Sequence, residues 1–425
     1  MTRDSTAAGL RANGPVEAAF EDVRKSFERF CLAAGIEALG TMMEADVEAA
    51  CGARHARTPA RRAHRWGRTQ GWMGFHGGKI AVERPRARGM DGHEVAIASW
   101  EAATGEDWLG RWAMNQMLIN VSTRRFKRSV RLPEGDVPAP DGAGLSKSAT
   151  SRRFVALSAA RMKAWMETRL DDLDLLAIQI DGIHMDEDML LVAAIGIDAN
   201  GDKHPLGLTE GATENATTVQ ALIDNLVERG LDPTVRRLFI IDGSKALSKA
   251  LRRTFGRDAA IQRCQIHKAR NIMDRLPKSM HASVRRVLRQ AWEMDDAEKA
   301  EKLIRNLARR LERDWSGVSA SILEGIDEML TVTRLGLPPE LRRSLACTNI
   351  IENVMGTVRR VCRNVKHWRS PSMAMRWTAA AMMEAKKGFR RLKAHKQLPV
   401  LRAALDRHSA GTSTGRPLAQ IAEAA

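Results

Sequence analysis

Two aspartates each close an apolar run. Asp181 ends "LLAIQID" and Asp242 ends "RLFIID"; a third carboxylate, Glu352, lies in "ACTNIIENVMGTVRRVCRNV". Two Asp and one Glu brought together could hold a pair of Mg²⁺ ions about 3.5–4 Å apart, because Mg²⁺ is hard and prefers oxygen ligands. One ion would activate water or a 3′-hydroxyl, and the other would stabilise the leaving oxygen of an in-line displacement. No protein nucleophile is needed. The chain has no tyrosine, which excludes strand cutting through a phosphotyrosine. Each carboxylate also has a plainer reading. Asp181-Gly182 and Asp242-Gly243 after apolar runs are hairpin signals. Asn349 to Glu352 has capping-box spacing, with Asn349 as N-cap. Asp186, Glu187 and Asp188 are rival ligands or a solvated loop.

Positioning those groups requires a sheet. "LLAIQID", "MLLVAAIGID" and "KHPLGLTEG" read as three strands, followed by the helix "TTVQALIDNLVERG". A fourth strand "RRLFIID", the helix "SKALSKALRRTF", a short strand "AAIQRCQ" and the helix "HKARNIMDRL" complete the order of a ribonuclease-H-like α/β core, a mixed five-stranded sheet with helices. In that order the first strand neighbours the fourth, so Asp181 and Asp242 would share one end of the sheet. Residues 277–345 read as an all-helical insertion, and the helix carrying Glu352 follows.

Charge divides the chain further. Between 52 and 88 ten Lys/Arg stand against Glu83 alone, and between 353 and 397 twelve stand against Glu384 alone. Between 171 and 232 fourteen Asp/Glu face only Lys203 and Arg229, a segment that divalent metal could neutralise. The net charge of +17 and the pI near 10.2 point to a polyanionic partner, either nucleic acid or an anionic membrane surface. The run "MLLVAAIGI" is too short to cross a bilayer and the first residues lack a signal-peptide core, so a soluble protein without membrane partners is expected. Five scattered cysteines without CxxC pairing suggest reduced thiols in a cytosol.

The sequence divides into a helical segment (1–50), a basic region with a small hairpin (51–104), a helix-turn-helix-like region (105–170), the first part of the core (171–276), the insertion (277–345), the glutamate helix with basic C-terminal helices (346–396), and a tail (397–425) expected to fray. In the third of these, Ser146 is a natural N-cap for a helix presenting Lys147, Ser148, Arg152 and Arg153. That helix reads equally as a DNA-reading helix or as an exposed basic helix touching phosphates. Arg61, Arg62, Arg65, Arg124 and Arg125 are further DNA-contact candidates, as are Arg359, Arg360 and Arg363 of the final basic helix.

Taken in order, "IQIDGIHM", "LFIIDGSKAL", "QRCQIHKARNI" and "CTNIIENVMGTVRR" resemble the Mutator-type DDE transposases of bacterial insertion sequences. The resemblance extends from "WGRTQGW" and "VERPRARG" through "VSTR" and "GLSKSATSR" to the last basic helix. It implies that Asp181, Asp242 and Glu352 are the catalytic, metal-binding triad and that Cys264 and His267 are the C-x-x-H signature. It also implies an inserted helical domain before the glutamate. The expected cofactor is Mg²⁺, with Mn²⁺ able to substitute. The expected partners are double-stranded DNA, as terminal inverted repeats and target, and further copies of the chain in a synaptic complex. The expected setting is the bacterial cytoplasm, at the nucleoid. Departures mark a subgroup: Cys347 replaces the family's Ser, Gly356 takes the place of an Asn, and "HWRSPSMAMRW" differs from the usual segment. A nuclease that cuts without joining, or a regulator that only binds DNA, are the rival readings.

Cys264 and His267 could be half a zinc site, though no second pair lies at ligand spacing. His267 could equally lie near the metals and contact phosphate, or pack as a core histidine. Cys51, His55 and His64 suggest metal still more weakly. Trp292 and Trp315 could stack on an unpaired base, but core packing between amphipathic helices is favoured.

Overall fold

The computed structural model describes residues 14–56, 61–75, 78–105, 107–119, 121, 146–186 and 189–413, and the chain separates into two compact units, 1–157 and 158–425. The first unit begins with helix α1 (Gly14–Cys51) and an antiparallel sheet β1 (Ala63–Phe75), β2 (Gly78–Gly89) and β3 (Glu94–Val95). Leu32, Met43, Val47 and Cys51 of α1 pack on Ala63, Ile80, Val82 and Ala87 of this sheet. The expected small hairpin is thus a long ribbon with a third strand. Helices α2 (Ala98–Gly105) and α3 (Trp108–Leu118) follow, and α4 (Lys147–Glu167) leads into the second unit. Ser146 begins α4 as expected, its hydroxyl accepting from the Ala149 amide at 3.2 Å. Arg124, Arg125 and the connection between α3 and α4 lie outside the described residues, as do Glu187 and Asp188.

The second unit is built on a five-stranded mixed sheet in the order β6-β5-β4-β7-β8, formed by β4 (Leu175–Asp186), β5 (Met189–Asp198), β6 (Lys203–Glu210), β7 (Leu238–Ile241) and β8 (Ala260–Arg263). β4, β5 and β6 pair antiparallel in sequence, whereas β7 runs parallel to β4 and β8 parallel to β7. The two parallel connections are α5 (Ala216–Glu228) and α6 (Lys245–Phe255), as parallel pairing needs a crossover. Ile178, Ile180, Val192, Ala194, Phe239 and Ile241 form a core with Leu222, Ile223 and Leu226 of α5 and Leu247 and Leu251 of α6. Each fully buried side chain of this size contributes about 1.5–3 kcal/mol, which is why the central strands read as near-continuous apolar runs.

Then come α7 (Gln265–Met273), α8 (Lys278–Glu293), α9 (Ala297–Glu312), α10 (Ser316–Leu323), the short turns α11 (Ile326–Met329) and α12 (Thr331–Arg334), and α13 (Pro339–Leu345). Helices α7 to α11 share a separate core in which Trp292 and Trp315 are partly buried, so both indoles pack against helices as favoured. Finally α14 (Asn349–Val361) and α15 (Pro371–Lys386) return to the sheet. The expected fraying from 397 does not hold as far as 413: α16 (Leu398–Ser413) buries Leu398, Leu401 and Leu405, and Arg402 meets Asp174 at 2.5 Å. Part of the acidic segment meets such cationic neighbours, with Asp202 paired to Arg391 and Asp171 to Arg169, while Asp198 takes a contact from the His204 ring at 2.9 Å. No described helix is long and apolar enough to cross a membrane.

Candidate active site

The register of the parallel pair sets the site. Ile180 of β4 lies beside Ile241 of β7, so the next residue on each strand is an aspartate, Asp181 and Asp242. The hairpin reading of Asp181-Gly182 is overturned, because both residues lie inside β4, paired with Ala193 and Val192 of β5. Asp181 is 6 % exposed and accepts the Gly182 amide at 2.8 Å. Burial, opposed by the His267 charge and a Thr348 hydrogen bond and aided by Asp242, pushes its carboxyl up to about 6. At Asp242 the chain does turn. Its Oδ2 accepts the Thr213 hydroxyl at 2.7 Å and its Oδ1 the Ser244 amide at 2.9 Å, while Ser244 caps α6. Gly243 has φ +100°, and a Cβ there would lie 2.0 Å from Arg263 Nε. Arg263 in turn donates to the Glu324 carbonyl at 3.2 Å, as buried Lys268 does at 2.9 Å.

Glu352 is delivered by α14, whose start is fastened to the sheet. Gln179 of β4 donates to the Cys347 carbonyl at 3.0 Å, the Gln265 amide to Ala346 at 3.0 Å, and the Thr348 hydroxyl to Cys264 Sγ at 3.5 Å. The capping-box expectation fails. Thr348, not Asn349, is the N-cap, and it makes no side-chain cap because its hydroxyl is engaged with Cys264 and Asp181. Glu352 is therefore free of a capping role. It keeps 38 % exposure, and its Oε1 lies 3.7 Å from the His267 ring.

His267 lies between the carboxylates. Its Nδ1 is 3.8 Å from Asp181 Oδ2 and its Nε2 is 3.7 Å from Glu352 Oε1; Arg270 stands 3.8 Å from the same Glu352 oxygen. Nδ1 is sealed from solvent and makes no hydrogen bond of ordinary geometry. The Cys264 sulfur is its strongest favourable neighbour; with the charges of Asp181, Cys264 and Glu352 it outweighs burial and pushes His267 up to about 9. The ring is an imidazolium at neutral pH. Burial alone would raise the Cys264 thiol, but His267 and Thr348 bring it below its ordinary value. Cys264 and His267 thus join as one unit, the sulfur fastening α14 and the ring one turn later facing the carboxylates.

Carboxylate oxygens are the donors a hard divalent cation prefers, and a cation would offset the burial that raises Asp181; the His267 imidazolium is a neighbouring charge and not a ligand. Asp181 and Asp242 are the adjacent pair, and Glu352 lies across His267. Among the described residues no three of His, Cys, Asp and Glu are gathered as a ligand cluster. Asp186 is exposed at the far end of β4. Cys51 is buried beneath the first unit's sheet, whereas His55 and His64 are exposed.

Of the basic candidates, Arg359, Arg360 and Arg363 are exposed on the face of α14 and its 3₁₀ extension that continues from Glu352. Arg61, Arg62, Lys147, Ser148 and Arg152 are exposed, while Arg65 is half-buried in an ion pair with Glu44 and Arg153 pairs with Asp107. The sequence reading missed Gln179, Thr213, Ser244 and Thr348. Only Ser244, placed three residues before Leu247 as a cap, carried a local signal.

A family model described as "Transposase, Mutator family" matches residues 25–391. The transposase for insertion sequence element IS6120 of Mycolicibacterium smegmatis is 30 % identical over 223 residues, 51 % of this chain and 67 % of that protein. The transposase for insertion sequence element IS256 in transposon Tn4001 of Staphylococcus aureus is 26 % identical over 343 residues, 78 % of this chain and 83 % of the relative. That for insertion sequence element ISRM5 of Rhizobium meliloti is 23 % identical over 381 residues, covering 85 % and 92 %.

Proposed function

This chain belongs to the Mutator family of transposases, and we propose that it binds the terminal inverted repeats of an insertion sequence and cuts and joins DNA strands through a DDE-type, ribonuclease-H-like core. The observation that carries this reading is the parallel register placing Asp181 beside Asp242, with Glu352 facing them across His267. The strand order β6-β5-β4-β7-β8, antiparallel then parallel, supports the ribonuclease-H-like assignment. Asp181, Asp242 and Glu352 would hold Mg²⁺, or Mn²⁺ in its place, which when bound supplies activation of water or a 3′-hydroxyl and charge stabilisation at the leaving oxygen.

The chain's own residues do the rest. Thr213 and Ser244 fix the orientation of Asp242. His267 holds a proton at neutral pH and offers positive charge where the phosphodiester must approach. Arg359, Arg360 and Arg363 line the face along which a phosphate backbone would run. Two copies or more would hold two ends together, and the work would be done in the bacterial cytoplasm at the nucleoid.

The test is incubation of the purified protein with Mg²⁺ and labelled duplex from the DNA bordering its gene. Nicked and joined products are expected. Asp181→Ala, Asp242→Ala and Glu352→Ala should each remove both products, by about 10³-fold or more, while leaving DNA binding in place. Cutting without joining would favour the nuclease reading. Binding with no metal-dependent cutting would favour the regulator.

A further inference from the structure

The end of the helical insertion meets the five-stranded sheet along a polar seam. On one side stand β8 and the start of α7; on the other stands the stretch from Glu324 to Val332. Gln262 and Gln265 both donate to the Met329 carbonyl, at 3.0 and 3.2 Å, and the Val332 amide donates to Gln262 at 3.0 Å. The Thr331 hydroxyl donates to the Ile261 carbonyl at 2.6 Å. Arg263 and Lys268, both buried, share the Glu324 carbonyl at 3.2 and 2.9 Å. Two buried cations on one carbonyl are a costly way to dock helices on a sheet.

Arg263 differs from Lys268 in what else it touches. It closes β8 beside Ile241 of β7, the residue before Asp242. Its guanidinium lies between two glycines of left-handed backbone, Gly243 (φ +100°) and Gly325 (φ +69°), and a Cβ on either would run into it. At both corners the missing side chain is what lets the backbone close on the guanidinium. Nε, the atom nearest Gly243, is sealed from solvent and makes no hydrogen bond. A buried donor left unpaired is destabilising, so an apolar side chain would serve docking better. The Glu324 carboxylate completes the corner. Its Oε1 meets Lys245, the first residue of α6, at 2.9 Å, and its Oε2 stands 3.9 Å from Arg263. The turn from Asp242 to Lys245 is thus touched from the insertion at its glycine, through Arg263, and at its lysine.

From this geometry we infer that Arg263 is a positioning residue for Asp242: it ties the Glu324–Gly325 corner of the insertion to the turn that aims the Asp242 carboxylate, so that the two move as one piece. Its bearing on cleavage rests on the reading of Asp242 as a metal-binding carboxylate. Its hold on the turn does not, so the two can fail separately.

The experiment uses the full chain with Arg263→Met, Arg263→Lys and Lys268→Met. Hydrogen exchange in EDTA reads the Ser244 amide, which donates to Asp242 Oδ1 at 2.9 Å. Arg263→Met should speed exchange there about 10-fold or more. Arg263→Lys keeps the buried charge but not the planar fork between the glycines, and should do the same. Lys268→Met removes a bond to the same carbonyl without touching the turn, and should leave Ser244 near the parent rate. Protected amides of β4 and β7 check that each variant keeps its fold. With Mg²⁺ and labelled end duplex, both Arg263 variants should need about 10-fold more Mg²⁺ for half-maximal cleavage, as when a partner behind a metal ligand is lost. Lys268→Met should not. Unchanged exchange at Ser244 in the Arg263 variants, an equal rise in Lys268→Met, or an unmoved Mg²⁺ requirement would overturn the inference. The exchange result without any Mg²⁺-dependent cleavage by the parent would overturn the catalytic reading alone.

Discussion

On one flank of the carboxylate cluster Asp242 is held by a hydroxyl at 2.7 Å and an amide at 2.9 Å, in a turn that only glycine can follow. On the other flank Glu352 is 38 % exposed, and its nearest cations, His267 and Arg270, stand at 3.7 and 3.8 Å. The same site therefore has one flank held by hydrogen bonds and one whose last side chain is partly exposed and held only by longer ion pairs. Behind the first flank, Arg263 and Lys268 run from the core to the Glu324 carbonyl, so the helical segment between α7 and α13 braces the Asp242 turn. Behind the second, α14 is fastened through the Cys347 carbonyl, the Thr348 hydroxyl and a buried apolar face, while the Glu352 carboxylate beyond it has only longer ion-pair contacts.

Exchanging carboxylate lengths would break this comparison most sharply. Asp242→Glu adds a methylene where both oxygens are already engaged, so cleavage should fall by about 10³-fold, as in removal of a positioned group. Glu352→Asp shortens a partly exposed side chain that makes no close hydrogen bond, and should lose only about 10-fold. Single-turnover cleavage of end DNA with Mg²⁺ reads both. Equal losses would mean that the flanks are equally rigid.

Asp181 gives the next largest effect, and it appears in stability. Its folded pKa of about 6 lies above the ordinary 3.8, so the folded state binds this proton more tightly than the unfolded chain. The carboxylate thus costs nothing below about pH 4, and its cost grows as pH rises towards 6. About two pH units correspond to at most about 3 kcal/mol, less whatever attraction to His267 is lost with the charge. In EDTA, Asp181→Asn should therefore melt higher than the parent at pH 7.5, with the gain gone by pH 4. Saturating Mg²⁺ should stabilise the parent and not the variant. A variant that melts lower at pH 7.5 would show that the His267 pairing outweighs burial.

The contrast between flanks also explains what the sequence could disclose. Strands β4, β5 and β7 are buried on both faces, so "LLAIQI", "MLLVAAIGI" and "LFII" announce themselves as apolar runs, and the aspartates mark where the runs meet chemistry. The ribbon of the first unit is hard to read because Trp66 and Trp72 are exposed on it and its register includes a bulge, which spoils the two-residue alternation. Within the site, Thr213, Gln179 and Thr348 were illegible. A buried threonine bonded to a carboxylate on another strand has no local pattern; it exists only once the register of β4 and β7 is set. The capping-box spacing at Asn349 misled for a related reason: the tertiary bonds of Thr348 displaced the local cap.

The smallest effect is the most discriminating for the loose flank. Arg270 is 59 % exposed and meets Glu352 only at 3.8 Å, the geometry of a screened surface pair worth about 0–1 kcal/mol. Arg270→Ala should leave the melting temperature within about 2 °C of the parent. If Glu352 is poised by this pair, removing it should instead appear as a higher Mg²⁺ requirement for cleavage, with the maximal rate preserved. A fall in melting temperature comparable to that of a buried group would place Arg270 among the structural supports, and Glu352 would then be as fixed as Asp242.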